Sequence, residues 1–399
     1  MDKSNRHLLL IGAGHAHVHF LRQWAEKPCP GWRVTLLSPY AHHTHSAMLP
    51  GYVAGHYRAQ DCQIELAPLI QQAGVEWIQG QCVGLQTDKR LVEYTLVSRP
   101  DGVPSRLSFD LLSIEAGSSI DRRRLEGEMP GATSYALSLH PAEVFVDLWP
   151  KVIDLARQKP PSMVVIGSGV MAAEMIFAAE QAMRLYGVKG SRFSLVTGPG
   201  EWLSGINDQV RQRVMAQLRQ RHISLIHATC TAIGDEALEL GSQAALTCDV
   251  PILAMDSQAP LWLQNSGLAL AESGHALTNA HLRSSECEYV FVVGEASARE
   301  EQPANREAAN SLEARETLAH NLWAKLAGQG LKKHHAPVHG TRTVSCGSGH
   351  SIARWGQWTL EGGLAWWWKS RKDRAVMQAY RQPIPQPKPQ ATEPNRPAG

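Results

Sequence analysis

Two short stretches of this chain carry residue types suited to gripping a doubly charged linkage. Leu8 to Ile11 is an apolar run, Gly12 and Gly14 follow it, and Val18, Leu21 and Ala25 then recur at helical spacing. Met163-Val-Val-Ile-Gly-Ser-Gly-Val-Met-Ala-Ala-Glu174 repeats the arrangement. A buried strand, a Gly-x-Gly turn and a helix make a diphosphate site: the glycines let backbone approach the pyrophosphate, and the first helical amides point at it. One copy is common in strand-to-helix turns. Two copies in one chain imply two nucleotide cofactors, and the expected pair is FAD with NAD(P)H.

The elements that must position these turns follow in order. Arg33 to Ser38 reads as the second strand of the first fold, where an acidic residue commonly grips a ribose; Ser38 and Pro39 stand there instead. His17 occupies the third-glycine position, where an imidazole can donate to a phosphate but is bulkier than close helix–strand packing allows. The segment Tyr40 to Tyr57 is rich in proline, glycine and histidine. His42, His43 and His45 are metal-ligand types, yet they lack carboxylate or cysteine company, so the segment is expected to cover a cofactor and no metal is expected. Phe109 to Ser119 is a strand ending in a small-residue turn that can pass close to a flat ring or a phosphate.

Arg122 to Pro141 is a polar crossover, and Glu143 to Gln158 a helix leading into the second fold. Its following strand, Arg192 to Val196, ends at Thr197 and Gly198 with no acid for an NADH 2′-hydroxyl, which leaves NADPH possible, or no nicotinamide at all, and does not decide between NADH and NADPH. Tyr289 to Ala296 returns as a strand ending in Gly294-Glu295, and Glu307 to Ala327 reads as a long helix. The expected architecture is α/β: two Rossmann-like three-layer domains plus a small C-terminal α+β block. Residues 1–125 and 275–335 form the FAD-binding domain, 140–274 the NAD(P)-binding-like domain, 336–382 the C-terminal block and 383–399 a disordered proline-rich tail.

With 39 basic and 37 acidic residues among 399, the formal charge of +2 exerts no general pull on nucleic acid or anionic lipid. The seven cysteines are odd in number, and no pair shows Cys-x-x-Cys spacing, which speaks for a reducing compartment and against a dithiol relay. No secretory leader is read at the N-terminus, and no apolar run reaches the ~20 residues of a membrane span. The chain is expected to be cytoplasmic. Trp366-Trp-Trp368, running into Lys369, Arg371, Lys372 and Arg374, suits either a peripheral contact at the inner membrane face or packing of the C-terminal block onto the body.

These features resemble the pyridine nucleotide-disulfide oxidoreductase superfamily. More narrowly, the chain is similar to the type II NADH dehydrogenase-like flavoproteins that occur alone or fused ahead of selenophosphate synthetase. The resemblance is carried by Gly12-Ala-Gly-His-Ala-His17, by Ser46-Ala-Met-Leu-Pro-Gly51 and Ala54-Gly-His-Tyr57, by Leu111-Leu-Ser-Ile-Glu-Ala-Gly-Ser118, and by the Trp-Trp-Lys and Arg-x-x-Met elements at 367 to 377. It implies that Gly12, Gly14, His15 and His17 lie at the FAD pyrophosphate and Ser38 and Pro39 near the adenosine. Met48, Leu49 and Pro50 would lie against the flavin side, Ala116 and Gly117 along the cofactor, and Gly294 and Glu295 at the ribityl chain. Gly167, Gly169, Ala172 and Glu174 would frame the nicotinamide dinucleotide, with Thr197 beside it. Cys82 and Val83, on the short strand at 81 to 85, complete the cofactor-side set.

Three departures from the family pattern bear on turnover. Gly-Asp becomes Gly294-Glu295, one methylene longer. Ala-Thr-Gly becomes Ala254-Met-Asp256. Arg-Gln-Gly on the helix under the flavin becomes Glu313-Ala-Arg315, which exchanges a cation for an anion. At an effective dielectric near 20, two like charges about 6 Å apart cost roughly 3 kcal/mol, enough to retune a redox step. Three functional expectations follow. The first is an FAD-dependent NAD(P)H oxidoreductase passing electrons to a quinone, a sulfur or selenium species or a partner protein, with Glu295 and Glu313 as the ionisable candidates for catalysis. The second is a sulfide:quinone-type enzyme, which needs paired reactive cysteines. The third is a flavin-binding partner or sensor with weakened or lost nicotinamide turnover.

Overall fold

The structure, a computed structural model, describes residues 6–117, 122–241, 243–255, 258–302, 310–335, 343–355 and 358–384. Asp256, the start of the long helix at 307, the segment 336–342 and the proline-rich residues from 385 onward lie outside the described residues.

Two five-stranded parallel sheets repeat one plan. In the first, the order is Val290–Val292, Leu111–Ile114, Arg6–Ile11, Trp32–Leu37, Glu76–Ile78. In the second it is Leu137–Ser138, Val250–Leu253, Ser162–Ile166, Arg192–Val196, Ser224–Ile226. Parallel strands are covered on both faces, so their residues read as continuous apolar runs rather than alternating ones; Leu8, Leu9 and Leu10 are wholly buried. In each sheet the strand leading into the Gly-x-Gly turn, Arg6–Ile11 or Ser162–Ile166, sits between neighbours reached by crossovers in opposite directions. The crevice beyond its carboxyl end is where open α/β sheets bind ligands. Each sheet also carries a three-stranded antiparallel insertion, at 80–108 and at 230–247.

The helix Val170–Leu185 is the central buried element of the second unit: Ala172, Ala173, Met175, Ile176 and Phe177 have no exposed surface. Helices His15–Glu26 and Ser311–Ala327 pack together on the first sheet through Phe20, Leu318 and Leu322, with Trp24 and Trp323 stacked at 5.5 Å.

The C-terminal block belongs to both units. Its sheet, Thr343–Ser345, Ser351–Trp355 and Trp358–Gly362, puts Val344, Cys346 and Ile352 into the second core. Its helix, Gly363–Arg381, sends Met377 into the first. One ionic group ties the joint. The Lys369 ammonium donates to Asp373 at 3.1 Å and to the Ala47 carbonyl at 3.0 Å, and the field of Glu174 acts on it as well. Burial pulls the Lys369 pKa down, but Glu174 and Asp373 outweigh it and leave the ammonium above the usual lysine value. Removing one partner of such a group leaves uncompensated buried charge. Lys369→Met should therefore lower stability by about 3 kcal/mol, read as a fall in urea midpoint at constant m-value; an unchanged midpoint would refute the clamp.

Candidate dinucleotide site

The first glycine turn is shaped by what lies directly above it. Gly12 has φ +86°, and a Cβ there would overlap the carbonyl oxygen of Glu115. Gly14 is the extended residue that opens the helix His15–Glu26, and a Cβ on it would overlap the Glu115 carboxylate. That carboxylate accepts the amide protons of Ala16 at 2.9 Å and His17 at 2.6 Å. Two of the amides at the helix start are thus already capped by a buried anion. Burial pushes the Glu115 carboxyl up to about 7, against the opposing pull of these amides and of Ser311.

His17 has a different place from the one its type suggests. Its Nδ1 lies 2.7 Å from the Gly12 carbonyl, which can only accept, so Nδ1 carries the proton; Nε2 then accepts from the Ser113 hydroxyl at 2.7 Å. Burial holds its pKa down to about 4, so the ring is neutral. It fastens the turn to the neighbouring strand from inside the fold rather than facing the cavity. His15 does face it. Its Nε2 pairs with His45 Nδ1 at 2.9 Å, and its ring stacks on Tyr380 at 5.5 Å and meets His43 edge-on at 4.5 Å. Burial lowers His43 to about 3 and His45 to about 4. The cluster is therefore neutral, and His15 Nδ1 and His43 Nε2 are buried polar atoms with no partner among the described residues.

A cavity of about 1370 Å³ opens beyond this turn, above the several-hundred-Å³ range of ordinary small-molecule pockets. Of the residues the sequence singles out, Gly12, Gly14, His15, Ser38, Pro39, Cys82, Ala116, Gly117, Gly294, Glu295 and Glu313 line it. Met48 and Leu49 are wholly enclosed among core side chains, Pro50 sits at a small void beside Glu174, and Val83 faces outward. Arg315 shares the first turns of its helix with Glu313; its guanidinium donates to the Leu312 carbonyl, and its charge bears on His15. A cation is thus retained two residues beyond Glu313.

The second glycine turn is not part of this cavity. Gly167 lies under the Ala254 carbonyl, and Gly169 opens the helix Val170–Leu185. Leu203 N–H donates to the Ser168 carbonyl at 2.9 Å, and Trp202 and Leu203 are buried. Ala172 is interior, and the Thr197 hydroxyl pairs with His227 Nδ1 at 2.9 Å. Glu174 accepts the Ser345 amide at 2.7 Å, so its oxygen is spent on the C-terminal sheet.

Sequence reasoning passed over Glu115, Glu143, Lys369 and Asp373 as site residues, and the cavity is lined by all four. Glu143, at the start of the helix Ala142–Gln158, reaches across to accept the Thr44 amide at 2.9 Å. All seven cysteines are unpaired thiols, and burial pushes Cys62, Cys82, Cys248 and Cys346 up to about 12. These four are poor nucleophiles.

Comparison with known proteins settles the family. The profile described as pyridine nucleotide-disulphide oxidoreductase matches residues 6–313. The chain belongs to that family. Its members are FAD-dependent enzymes that exchange hydride with NAD(P)H, and the glycine turn, the cavity and the unpartnered histidine nitrogens fit a bound dinucleotide. No curated protein matches by sequence. Among solved structures, the fold is similar to NDH2 from Plasmodium falciparum in complex with NADH (TM-score 0.74, 12% identity, 96% of this chain and 100% of that one). It is also similar to the sulfide:quinone oxidoreductase of Aquifex aeolicus (TM-score 0.72, 17% identity, 94% and 91%). The covalent putidaredoxin reductase–putidaredoxin complex matches at TM-score 0.68 and 16% identity, over 89% and 82%.

The glycine requirement gives a direct test. Gly12→Ala, strained at φ +86° and pressed against Glu115, should yield a folded chain that purifies colourless. Retention of stoichiometric FAD, read at 450 nm, would show that the turn does not bear the pyrophosphate.

Proposed function

We propose that this oxidoreductase takes hydride from NAD(P)H through FAD in the 1370 Å³ cavity and delivers the electrons to a quinone at a membrane surface. The overall reaction is NAD(P)H + H⁺ + quinone → NAD(P)⁺ + quinol. FAD supplies the two-electron chemistry when bound; the chain's own residues hold it at Gly12, Gly14 and His15, with Ser38 and Pro39 toward the adenosine and Gly294 and Glu295 toward the ribityl chain. Among the carboxyl groups along the cavity, Glu295, Glu313 and Glu143 can relay the proton quinol formation consumes.

The observation that carries this reading is the C-terminal helix, because one element touches both the cavity and solvent. Trp368, Lys369 and Lys372 line the cavity from it. Two and four residues earlier in the same helix, Trp366 packs on His56 while Leu364 is 67% exposed, and Trp367 is 52% exposed beside Arg371. Trp358, on the preceding strand, is 79% exposed. Exposed indole and leucine next to arginine suit the headgroup region of a bilayer. Among the described residues no helix is long and apolar enough to cross a membrane, so the contact is peripheral. The buried thiols make a cysteine-borne sulfur relay a poorer fit. A sulfur or selenium species or a partner protein as acceptor then becomes an outcome of the test.

A second reading has its own observation. The Leu203–Ser168 bond and buried Trp202 tie a segment onto the second glycine turn, which suits a flavin-binding partner or sensor with weakened nicotinamide turnover. Anaerobic addition of NADH or NADPH to the yellow protein separates the two. Bleaching, followed by reoxidation with a short-chain quinone, is the expected outcome; a spectrum unmoved by either nucleotide would leave the sensor. Trp358→Ala with Leu364→Ala and Trp367→Ala should abolish co-flotation with anionic liposomes, and undiminished flotation would remove the surface contact.

A further inference from the structure

We infer that FAD binding to this chain takes up one proton from solvent, and that the proton resides on Glu115. The inference rests on the family's cofactor and is independent of which acceptor is used.

The geometry sets two anions against one helix end. Glu115 rises from the end of the strand Leu111–Ile114 and is 5% exposed, with its two carboxylate oxygens on the amides of Ala16 and His17. Its carboxylate lies where a Gly14 side chain would begin, at the turn a pyrophosphate must approach. A pyrophosphate at this turn would have to use the amides that Glu115 leaves, directly beside a carboxylate that shares the same partial positive charge. Among the described residues no cation relieves the crowding by bonding to Glu115. From the helix His15–Glu26 it faces His17, at 3.6 Å and neutral by virtue of its Gly12 and Ser113 bonds; His15 of that helix is neutral as well. From the helix Ser311–Ala327 it meets the Ser311 hydroxyl; Arg315 of that helix turns to the Leu312 carbonyl and Glu316. From the C-terminal helix it meets the field of Tyr380, a neutral phenol. Gly294 approaches its side chain, followed by the carboxyl of Glu295. No lysine or arginine bonds to Glu115 among the described residues.

A carboxylate so placed has one inexpensive response to a second anion, which is to become a carboxylic acid. Protonated, it keeps one oxygen as acceptor for an amide and gains an O–H that can donate to a phosphate oxygen. Its carboxyl already titrates near 7 through burial alone, so the proton is available at ordinary pH, and a neighbouring pyrophosphate can only raise that value further. The direction follows from linkage: the bound state holds more protons than the free state, so affinity is full below the free-state pKa and falls as pH rises above it. The other histidines at the turn are held neutral across this range, and the pyrophosphate is fully ionised throughout. The remaining raised carboxyl that lines the cavity near the turn, Glu143, faces Thr44 rather than the glycines.

The test uses the full-length holoprotein, diluted at pH 6, 7, 8 and 8.5, with released FAD read by its fluorescence. The dissociation constant should rise about tenfold between pH 6 and pH 8. Glu115→Gln, which keeps the shape and one acceptor oxygen, should bind with a nearly flat profile and more tightly than the unaltered chain at pH 8. A flat profile for the unaltered chain, or the same slope in the glutamine variant, overturns the inference. Should that variant misfold, calorimetric titration of FAD into flavin-stripped unaltered chain decides: at pH 8, two buffers of different protonation enthalpy should report close to one proton taken up, and none taken up overturns it. A chain that binds no FAD at any pH overturns both this inference and the cofactor assignment. A pH-independent affinity overturns the proton alone.

Discussion

One helix end in the first unit has to satisfy two demands at once, and the surrounding structure is arranged by that constraint. The amides at the start of His15–Glu26 have no partner within their own helix, and a doubly charged linkage is their natural counterpart. Glu115 already occupies two of them, at 2.9 and 2.6 Å. Glycine at 12 and 14 is then required twice over, by the approach of the cofactor and by the Glu115 backbone and side chain pressing on the turn. His17 follows from the same crowding. Where a third glycine would let strand and helix close up, an imidazole fills the gap and uses both nitrogens, one on Gly12 and one on Ser113. The turn is held by buried polar bonds where small side chains would otherwise hold it by contact, and buried polar networks are stable only when every member is satisfied.

The same logic extends outward to the C-terminal block. Tyr380 stacks on His15 and donates to its carbonyl, and Lys369 reaches the Ala47 carbonyl just ahead of the buried Met48. The helix Gly363–Arg381 is therefore a wall of the cavity as much as an appendage. Glu174 ties the block to the second unit. It begins a helix expected to frame the second dinucleotide, yet its carboxylate anchors Ser345 and acts on Lys369.

How far the sequence announces all this depends on the range of the interaction. Leu8–Ile11 and Met163–Ile166 are continuous apolar runs ending in Gly-x-Gly, so strand, turn and helix are legible from a dozen adjacent residues, and both sheets were expected on that basis. The apolar faces of 170–185 and 311–327 repeat at helical spacing and are legible for the same reason. Glu115 is not. It sits inside the small-residue turn that the sequence reading noticed, but its partners are about a hundred positions away, and nothing local distinguishes a carboxylate that caps a helix from one in solvent. Glu143 on Thr44 and Lys369 on Asp373 and Ala47 fail to show for that reason too: two of these three contacts join segments that only the tertiary fold brings together. His17 was read by type, as a phosphate donor; its neutral tautomer and inward direction depend on Ser113, 96 residues on.

What remains is why a cofactor site should be lined with so many groups that cannot all be charged. His15, His43 and His45 are kept neutral by burial, Glu115 and Glu143 are raised by it, and two of the cations lining the cavity, Lys369 and Lys372, come from the C-terminal helix. Desolvation here works against any ion that lacks a built partner: Lys369 has Glu174 and Asp373, and an incoming anion has the helix amides. A small neutral molecule would gain little from that environment, and a lone cation would meet neutral imidazoles at the turn. An anionic dinucleotide gains most, because its phosphates take up the helix end while neutral imidazoles and carboxyls raised by burial adjust around it. The polarity of the cavity thus selects its occupant by making the alternatives costly.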